Sequence, residues 1–463
     1  MVFTSYVFLF VFLPTLLLAH QLAPRRHRLA VLTVGSYVFY GWWRADFALL
    51  LLFCTVASYL CGLGIAGASG RVRRLYLVLG LISSLGLLAW FKYANFLVAN
   101  LDFVWRAAGA GGLAWDAVIL PVGISFFTFQ TASYLIDVHR GDTEPCRSPL
   151  TFACYVALFP QLVAGPIVRY QEISADLVAP RRDAAGFARG IHLILIGFNK
   201  KVLLADQLAP LADAAFAMPE PGFWDAWIGL VSFSFQIYFD FSAYSDIAVG
   251  LGLLLGMRFP LNFDSPYRSE SITEFWRRWH MTLSRWLRDY LYVPLGGNRR
   301  GPGRTYLNLF LTMLLGGLWH GAQWTFVVWG AYHGVLLALE RLLGRRALWS
   351  AAPRPVRIAL TWGVVTLGWL PFRAPSLESA ATLLGALADV GSAASGAWPW
   401  TLAQAFQPWL LPVSAATVFA GIHSWALAGR QQGPWRWLQL ALFVIAVHEM
   451  LLRGVAPFLY FQF

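Results

Sequence analysis

Long hydrophobic runs recur along the whole chain, and short polar segments, many of them rich in arginine, separate them. A helix needs about 20 apolar residues to cross a bilayer, and somewhat fewer where the bilayer is thinned. Several runs are shorter, which is tolerated where protein or a water-filled cavity covers the backbone. We therefore predict an all-α polytopic membrane protein with about 11 transmembrane helices plus re-entrant pieces. The candidate spans are 3–23, 29–43, 46–66, 75–91, 118–136, 150–164, 187–204, 226–256 (as a continuous or a broken helix), 306–319, 324–343, 357–372, 409–428 and 435–452.

The composition agrees with this pattern, because 58% of the 463 residues are hydrophobic and only 13% are charged. Soluble domains carry about 25% charged residues, so a single soluble core is excluded. No Pro-rich or Gly-rich linker divides the chain, and we predict one domain over residues 1–463. We find no internal repeat, which leaves an inverted-repeat transporter without support.

The formal net charge of +12 comes from arginines that cluster between the hydrophobic runs. Cytoplasmic loops of membrane proteins carry such an excess, so the charge indicates orientation and a bilayer partner rather than nucleic acid. The first run has no positive region before it and a basic cluster after it, unlike a cleaved signal peptide. We expect it to be a retained span with its N-terminus outside. The basic loops predicted to be cytoplasmic are 25–28, 71–74, 258–304 and 341–357.

A basic amphipathic helix is predicted to begin at the capping box Ser271–Glu274 and to end before Pro294. Such helices lie in the cytoplasmic membrane interface with aromatic residues towards the lipid. Arg277 and Arg278 fall on the polar face, where either phosphate groups or anionic lipid explain them. His280 lies at the edge of the apolar face and is either a shielded interfacial side chain or one presented to a substrate. The apolar face consists of Ile272, Phe275, Trp276, Trp279, Leu283, Trp286, Leu287 and Tyr290.

His320 follows Trp319 inside a run that otherwise has the composition of a membrane span. Because the bilayer penalises polar side chains, an ionisable group at this depth indicates a functional site. Histidine is the side chain best suited to move a proton near neutral pH. We therefore take His320 as the first candidate for a catalytic residue.

Two carboxylates, Asp240 and Asp246, interrupt another hydrophobic run shortly after Tyr238. They are six residues apart and do not stack on one helix face, so they are a weak candidate for a shared two-carboxylate site. The alternative is structural: each bonds to backbone or pairs with arginine to hold a broken helix. A third run, 158–169, contains two prolines and a Gly-Pro step around Gln161, which predicts a re-entrant or kinked segment.

The sequence lacks the motifs of several other common kinds of active site. His320 and His333 have no carboxylate or cysteine at ligand spacing, so we predict no metal site. GxSxG and phosphate-binding loops are absent, which argues against serine-hydrolase chemistry and against a permanently bound cofactor.

Taken together, these motifs resemble the membrane-bound O-acyltransferase family over nearly the whole chain. The resemblance is strongest to the bacterial branch that contains the alginate O-acetyltransferase membrane subunit. The segments that carry it are 159–166, 238–246, 271–280, 296–299, 317–321 and 458–463.

The resemblance implies a fold in which transmembrane, re-entrant and interfacial helices surround a thinned centre. It makes His320 the family histidine and His280 the second catalytic candidate, a position that is Asn or His in different branches. It implies an inner-membrane enzyme that moves an acetyl group from cytoplasmic acetyl-CoA, with periplasmic acetyltransferase partners that modify an exopolysaccharide, alginate. Supporting or substrate-binding roles are expected for Asp240, Asp246, Tyr238, Asn298, Arg277, Arg278, Trp319 and Gln161.

Several alternatives remain open from the sequence. His320 either removes a proton from the attacking hydroxyl or carries the acetyl group itself for a time. The acceptor is alginate or, alternatively, cellulose, peptidoglycan or teichoic acid that receives D-alanine. Other classes of function are a transporter and a scaffold that only recruits periplasmic proteins.

Overall fold

The computed structural model describes residues 1–181, 183–344, 349–394, 407, 409–421, 423–430, 433–454 and 457–459. Within these residues every regular element is a helix, which confirms the predicted all-α class. They form two compact units, residues 1–191 with 248–260 and residues 192–247 with 261–463. The prediction of one domain over 1–463 stays a prediction.

The first unit consists of α-helices with short π and 3-10 segments. Its helices are Val7–Phe12 (π), Leu13–Leu22, Arg25–His27 (3-10), Arg28–Gly41, Ala45–Gly67, Gly70–Leu81, Ile82–Gly86 (π), Leu87–Ala107, Ile124–Arg140, Pro149–Ala157, Phe159–Leu162 and Tyr170–Val178. Along the chain, the helices Ala184–Lys200 and Phe223–Leu254 pass from one unit into the other.

The second unit contains all the remaining described helices. They are Lys201–Ala205 (π), Asp206–Ala217, Pro266–Arg268 (3-10), Ile272–Arg278, Met281–Leu287, Arg288–Tyr292 (π), Pro302–His320, Trp324–Leu343, Arg354–Arg373, Leu377–Ala388, Val390–Ala394, Leu410–Phe419, Ser424–Gly429 and Pro434–Arg453. Below, Phe223–Leu254 is the long helix, Pro302–His320 the histidine helix and Pro434–Arg453 the final helix.

Among the described residues, five helical stretches are both long enough and apolar enough to cross a bilayer; one of them, Gly70–Ala107, joins three consecutive helices. They differ in exposure: 83% of the most apolar window of the long helix is buried, against 17% for the final helix. Most of the long helix is therefore covered by protein, whereas the final helix presents most of its apolar surface outwards, as lipid contact requires. The higher total of about 11 spans stays a prediction. The five are Ala45–Gly67, Gly70–Ala107, Phe223–Leu254, Trp324–Leu343 and Pro434–Arg453.

The predicted boundaries hold for some spans and fail for others. The run 226–256 falls on one continuous helix, Phe223–Leu254, whereas 409–428 falls on two helices, Leu410–Phe419 and Ser424–Gly429. The run 118–136 is helical only from Ile124. The irregular course predicted for 158–169 is confirmed, since a single short helix, Phe159–Leu162, interrupts otherwise non-helical backbone.

The prediction of one amphipathic helix from Ser271 towards Pro294 was wrong. Ser271 does cap the first helix by accepting a hydrogen bond from the backbone of Glu274, but that helix ends at Arg278. The backbone of His280 then adopts the left-handed conformation (φ 42°, ψ 55°) before Met281–Leu287 begins. The cause is the neighbouring loop, because Asn262 accepts the backbone hydrogen bonds of residues 281 and 282 that a continuous helix would use internally.

The apolar face of this segment is buried in the protein rather than lying against lipid. Ile272, Phe275 and Trp279 are at most 3% exposed, and Leu283 is 2% exposed. The helical periodicity therefore identified the buried face correctly, although the contact of this face with lipid was predicted wrongly; the location at the membrane interface stays a prediction.

Glycine allows the histidine helix to lie very close to the helix Trp324–Leu343. A Cβ atom on Gly317 would lie 2.3 Å from the carbonyl oxygen of Phe326, and one on Gly330 would lie 2.6 Å from that of Met313. Such contacts are far inside van der Waals range, so neither position has room for a side chain. This packing fixes the end of the histidine helix, where His320 lies.

We expect Gly317→Ala to destabilise the protein by about 1–3 kcal/mol, because the added methyl group forces two packed helices apart. The matched control is Gly363→Ala, since a Cβ atom there meets nothing within 4 Å. Thermal unfolding of the detergent-purified protein measures both. Equal midpoints for the two variants would contradict the close packing.

Candidate active site

His280 is fully buried and held in a defined tautomer. Its Nδ1 lies 3.0 Å from Oδ1 of Asn262. The same oxygen accepts hydrogen bonds from the backbone nitrogen (3.2 Å) and the hydroxyl (2.9 Å) of Thr282. A backbone N–H can only donate, so this oxygen is an acceptor and His280 must carry its proton on Nδ1. The lone pair of the ring is then on Nε2.

Burial also sets the charge of this ring. Desolvation lowers the pKa of His280 from 6.5 to about 3, because a buried site disfavours the imidazolium form. At neutral pH the ring is therefore uncharged. A neutral ring with the proton on Nδ1 accepts a hydrogen bond or a proton at Nε2 and is poorly suited to donate one.

His320 is the last residue of the histidine helix and is 8% exposed. Aromatic rings surround it: the ring centroids of Trp319, Trp329 and Phe372 lie 5.0, 5.1 and 5.4 Å from its own. Trp329 in turn contacts the buried ring of His333 at 5.1 Å. The structure thus places His320 in an apolar, water-poor environment, where a charge that develops during a reaction would be screened weakly.

Trp319 connects the two candidate histidines. The centroid of its indole ring lies 5.0 Å from the ring centroid of His320 and 6.2 Å from that of His280. Phe241 from the long helix makes an edge-to-face contact with His280, with the two ring centroids 4.7 Å apart. The second unit therefore brings both histidines to one aromatic cluster, although they are 40 residues apart in the sequence.

Asp240 is structural in the described contacts. Its Oδ1 lies 2.7 Å from Nζ of Lys201, and its Oδ2 accepts a hydrogen bond from the backbone of Leu459 at 2.9 Å. Lys201 also pairs with Asp206 at 2.6 Å and donates to the carbonyl oxygen of Pro457 at 3.1 Å. The expected structural role fits, but the partner is lysine instead of arginine and the helix is unbroken.

Asp246 has a lysine of its own. Its Oδ2 lies 2.7 Å from Nζ of Lys200, which also lies 5.8 Å from the ring centroid of Tyr238. On a helix, the side chains of residues six apart, such as Asp240 and Asp246, point in directions about 120° apart. The side chains of successive residues, such as Lys200 and Lys201, point about 100° apart. Because the two angles are similar, each lysine can reach one of the two carboxylates. Tyr238 is held at the edge of the aromatic cluster, 6.3 Å from Trp279.

The other predicted residues do not join the histidines. Arg277 and Asn298 are exposed, and Arg278 pairs with Glu274 at 2.7 Å. Gln161 belongs to the first unit, where its side chain donates to the carbonyl oxygen of Tyr155 at 2.7 Å. Their expected roles in substrate binding stay predictions.

Several residues that organise the site were missed by sequence reasoning. Asn262 orients His280 across 18 residues, and Lys200 and Lys201 neutralise the carboxylates of the long helix. The two lysines did carry a signal, because they interrupt an apolar run at the depth of a span. Glu340 accepts hydrogen bonds from the backbone and hydroxyl of Thr273, at 2.7 and 3.0 Å, within the first turn of Ile272–Arg278.

Comparison with known proteins gives consistent matches. The model of the membrane-bound O-acyltransferase family matches residues 117–370. A protein of Pseudomonas putida named "Probable alginate O-acetylase AlgI" is 43% identical over 100% of both chains. Its namesake from Pseudomonas aeruginosa is 48% identical over 85% of this chain and 76% of its own. A peptidoglycan O-acetyltransferase of Helicobacter pylori is 37% identical over 83% of this chain and 79% of its own.

Lys201→Met is expected to cost about 3–5 kcal/mol of stability, because it leaves the buried Asp240 without its counter-charge. The double variant Lys201→Met with Asp240→Leu should recover part of the loss. Arg44→Met is the control. The Arg44–Asp46 pair is exposed, so its loss should lower the free energy of unfolding by less than about 1 kcal/mol. Thermal unfolding in detergent measures all three, and a Lys201→Met midpoint equal to that of Arg44→Met would contradict the buried pairing.

His280 should make stability depend on pH. Between pH 6.5 and about 3 only the unfolded chain protonates this ring. The folded state therefore loses stability as the pH falls through that window, by up to about 1.4 kcal/mol per pH unit. His280→Asn removes the titration and keeps a residue that tolerates positive φ. From about pH 7 to about pH 5 its unfolding midpoint should fall less steeply than that of the unmodified protein; parallel slopes would refute a neutral buried ring.

Proposed function

The chain belongs to the membrane-bound O-acyltransferase family and is an O-acyltransferase of the membrane, and we propose that it transfers acetyl groups from cytoplasmic acetyl-CoA for the acetylation of alginate. One observation carries the assignment of the site: the indole of Trp319 contacts both a buried His320 and a His280 whose tautomer is set by Asn262. Two relatives with the name of an alginate O-acetylase support alginate as the acceptor polymer.

In the proposed reaction His320 is the general base. Its ring takes the proton of an incoming hydroxyl while the hydroxyl oxygen attacks the thioester carbonyl carbon. The carbon–sulfur bond breaks, an ester forms, and the departing thiolate takes up the proton from His320, which gives free CoA and restores the neutral ring. A general base contributes about 10²- to 10⁴-fold to such a rate, and positioning of the two reactants contributes more.

His280 has a different role in this proposal. Because its ring is neutral, with the proton on Nδ1, it positions a hydroxyl or thiol by accepting a hydrogen bond at Nε2. This makes it a positioning residue on the donor side. The pKa of about 3 argues against a role for His280 as a proton donor, because the protonated ring is scarcely populated at neutral pH.

The alternative route gives His320 the role of nucleophile. Its ring would attack the thioester, release CoA and hold the acetyl group until a hydroxyl takes it. Rapid denaturation at neutral pH after mixing with radiolabelled acetyl-CoA distinguishes the two routes, because only the second leaves label on the protein at His320; acid is avoided because it hydrolyses acylimidazoles.

The setting of the enzyme is also proposed. We place it in the bacterial inner membrane, where periplasmic acetyltransferase partners pass the acetyl group to the polymer. The Helicobacter pylori relative supports peptidoglycan as a second acceptor. Cellulose and D-alanylated teichoic acid, or a transporter or scaffold without catalysis, have less support, since the family assignment predicts that His320 is required.

His320→Ala should lower the transfer of labelled acetyl from acetyl-CoA to alginate by at least about 100-fold in cells that carry the partner proteins. His448→Ala is the matched control, because His448 is an exposed histidine of the final helix. His280→Ala should reduce transfer severely as well. Membrane levels of each variant are measured alongside, and normal acetylation by a correctly inserted His320→Ala protein would refute the mechanism. Label on peptidoglycan but not on alginate would change only the acceptor.

A further inference from the structure

A long slot of about 560 Å³ runs through the second unit beside the final helix. Its wall includes residues of that helix from Trp435 to Arg453, which lie about 27 Å apart at a rise of ~1.5 Å per residue. This length approaches the thickness of the hydrocarbon core of a bilayer, about 30 Å. The lining of the slot therefore extends along most of the final helix, far enough for an extended molecule about as long as one leaflet or more.

The slot is lined mainly by apolar side chains. Ile196 and Leu203 form one wall, Val413 comes from Leu410–Phe419, and Leu442 and Ile445 come from the final helix. Neither His280 nor His320 belongs to the described lining, so the slot does not include the two candidate histidines. Its volume falls in the range of about 300–1,000 Å³ that is typical of ligand pockets.

Polar atoms without a partner lie at one end. Gln439 is 3% exposed, and although its Oε1 bonds to His192 at 2.8 Å, its Nε2 has no hydrogen-bond partner among the described residues. The same holds for Oδ1 of Asn199, which is 9% exposed, and for Nε1 of Trp435. A buried polar group without a partner costs about 1–3 kcal/mol, so these atoms indicate a missing ligand.

The charges around the slot are already compensated. Lys200 pairs with Asp246 at 2.7 Å, and Arg453 pairs with Glu449 at 2.9 Å. The two free donors, on Gln439 and Trp435, therefore suit a neutral oxygen acceptor such as an ester carbonyl. Trp435 stands in the first turn of the final helix, the level at which tryptophan lies beside the polar region of a bilayer.

We propose that this slot binds one glycerophospholipid, with an acyl chain along the apolar wall and an ester carbonyl at Gln439 and Trp435. Ester carbonyls of phospholipids lie at the membrane interface and the chains extend towards the bilayer centre, as the two ends of the slot require. Lys200 and Tyr238 also line the slot. The lipid therefore completes the packing around the Lys200–Asp246 pair and behaves as a structural component of the protein.

The first test measures phospholipid that stays bound to the full-length protein after extensive washing in detergent. Leu442→Trp fills the slot, whereas Leu440→Trp places the same side chain two residues away on a position that is 42% exposed. Mass spectrometry of extracted lipids should find near-equimolar phospholipid in the unmodified protein and in Leu440→Trp. Leu442→Trp should retain about tenfold less, which corresponds to a loss of 1.4 kcal/mol of affinity. Equal retention in all three would overturn the proposal.

A second measurement covers the case in which Leu442→Trp does not fold. Phosphatidylglycerol with a photoreactive diazirine on its acyl chain is irradiated with the unmodified protein, and labelled peptides are identified. Label should concentrate on residues 196–203 and 435–445, and Gln439→Met, which removes the donor but keeps the volume, should weaken it. Label spread evenly over the exposed helices, or a polyprenyl lipid recovered in place of phospholipid, would refute the assignment.

Discussion

The neutralisation of buried charge is the constraint on which the second unit depends. Two carboxylates in the long helix would be expensive to bury alone, and each is paired with one of two consecutive lysines. This pairing lets Phe223–Leu254 continue unbroken through an apolar environment. The same long helix carries Tyr238 and Phe241, which pack against the aromatic cluster around the histidines. An ion-pair arrangement thus fixes the position of one wall of the candidate site.

A second constraint acts through backbone hydrogen bonds. Asn262 takes the hydrogen bonds of residues 281 and 282, which ends the helix Ile272–Arg278 and forces His280 into the left-handed conformation. Its side chain then fixes the tautomer of the ring. One asparagine therefore determines where the backbone turns and which nitrogen of His280 can accept a proton. The hydrophobic periodicity of residues 271–290 does not predict the break at His280, because its cause, Asn262, lies in the preceding loop.

Local pattern predicted what depends on local physics. The hydrophobic runs predicted the helical class and the five helices that can cross a bilayer, the capping serine predicted the start of Ile272–Arg278, and the prolines predicted the irregular course of 158–169. His320 was selected because a titratable group in an apolar run is costly. The partners of the polar residues could not be predicted in the same way. Lys201 and Asp240 are 39 residues apart, and only the fold brings them together.

The environments of the two histidines differ in a way that separates their roles. His280 has its Nδ1 proton committed to Asn262, and burial lowers its pKa to about 3, so a proton taken up there would not be retained. His320 stands at a helix end among three aromatic rings. When two titratable groups lie in different environments, their proton affinities differ, and they can take different acid–base roles. In the proposed acyl transfer we therefore assign the proton of the acceptor hydroxyl to His320 and the orientation of the reacting group to His280.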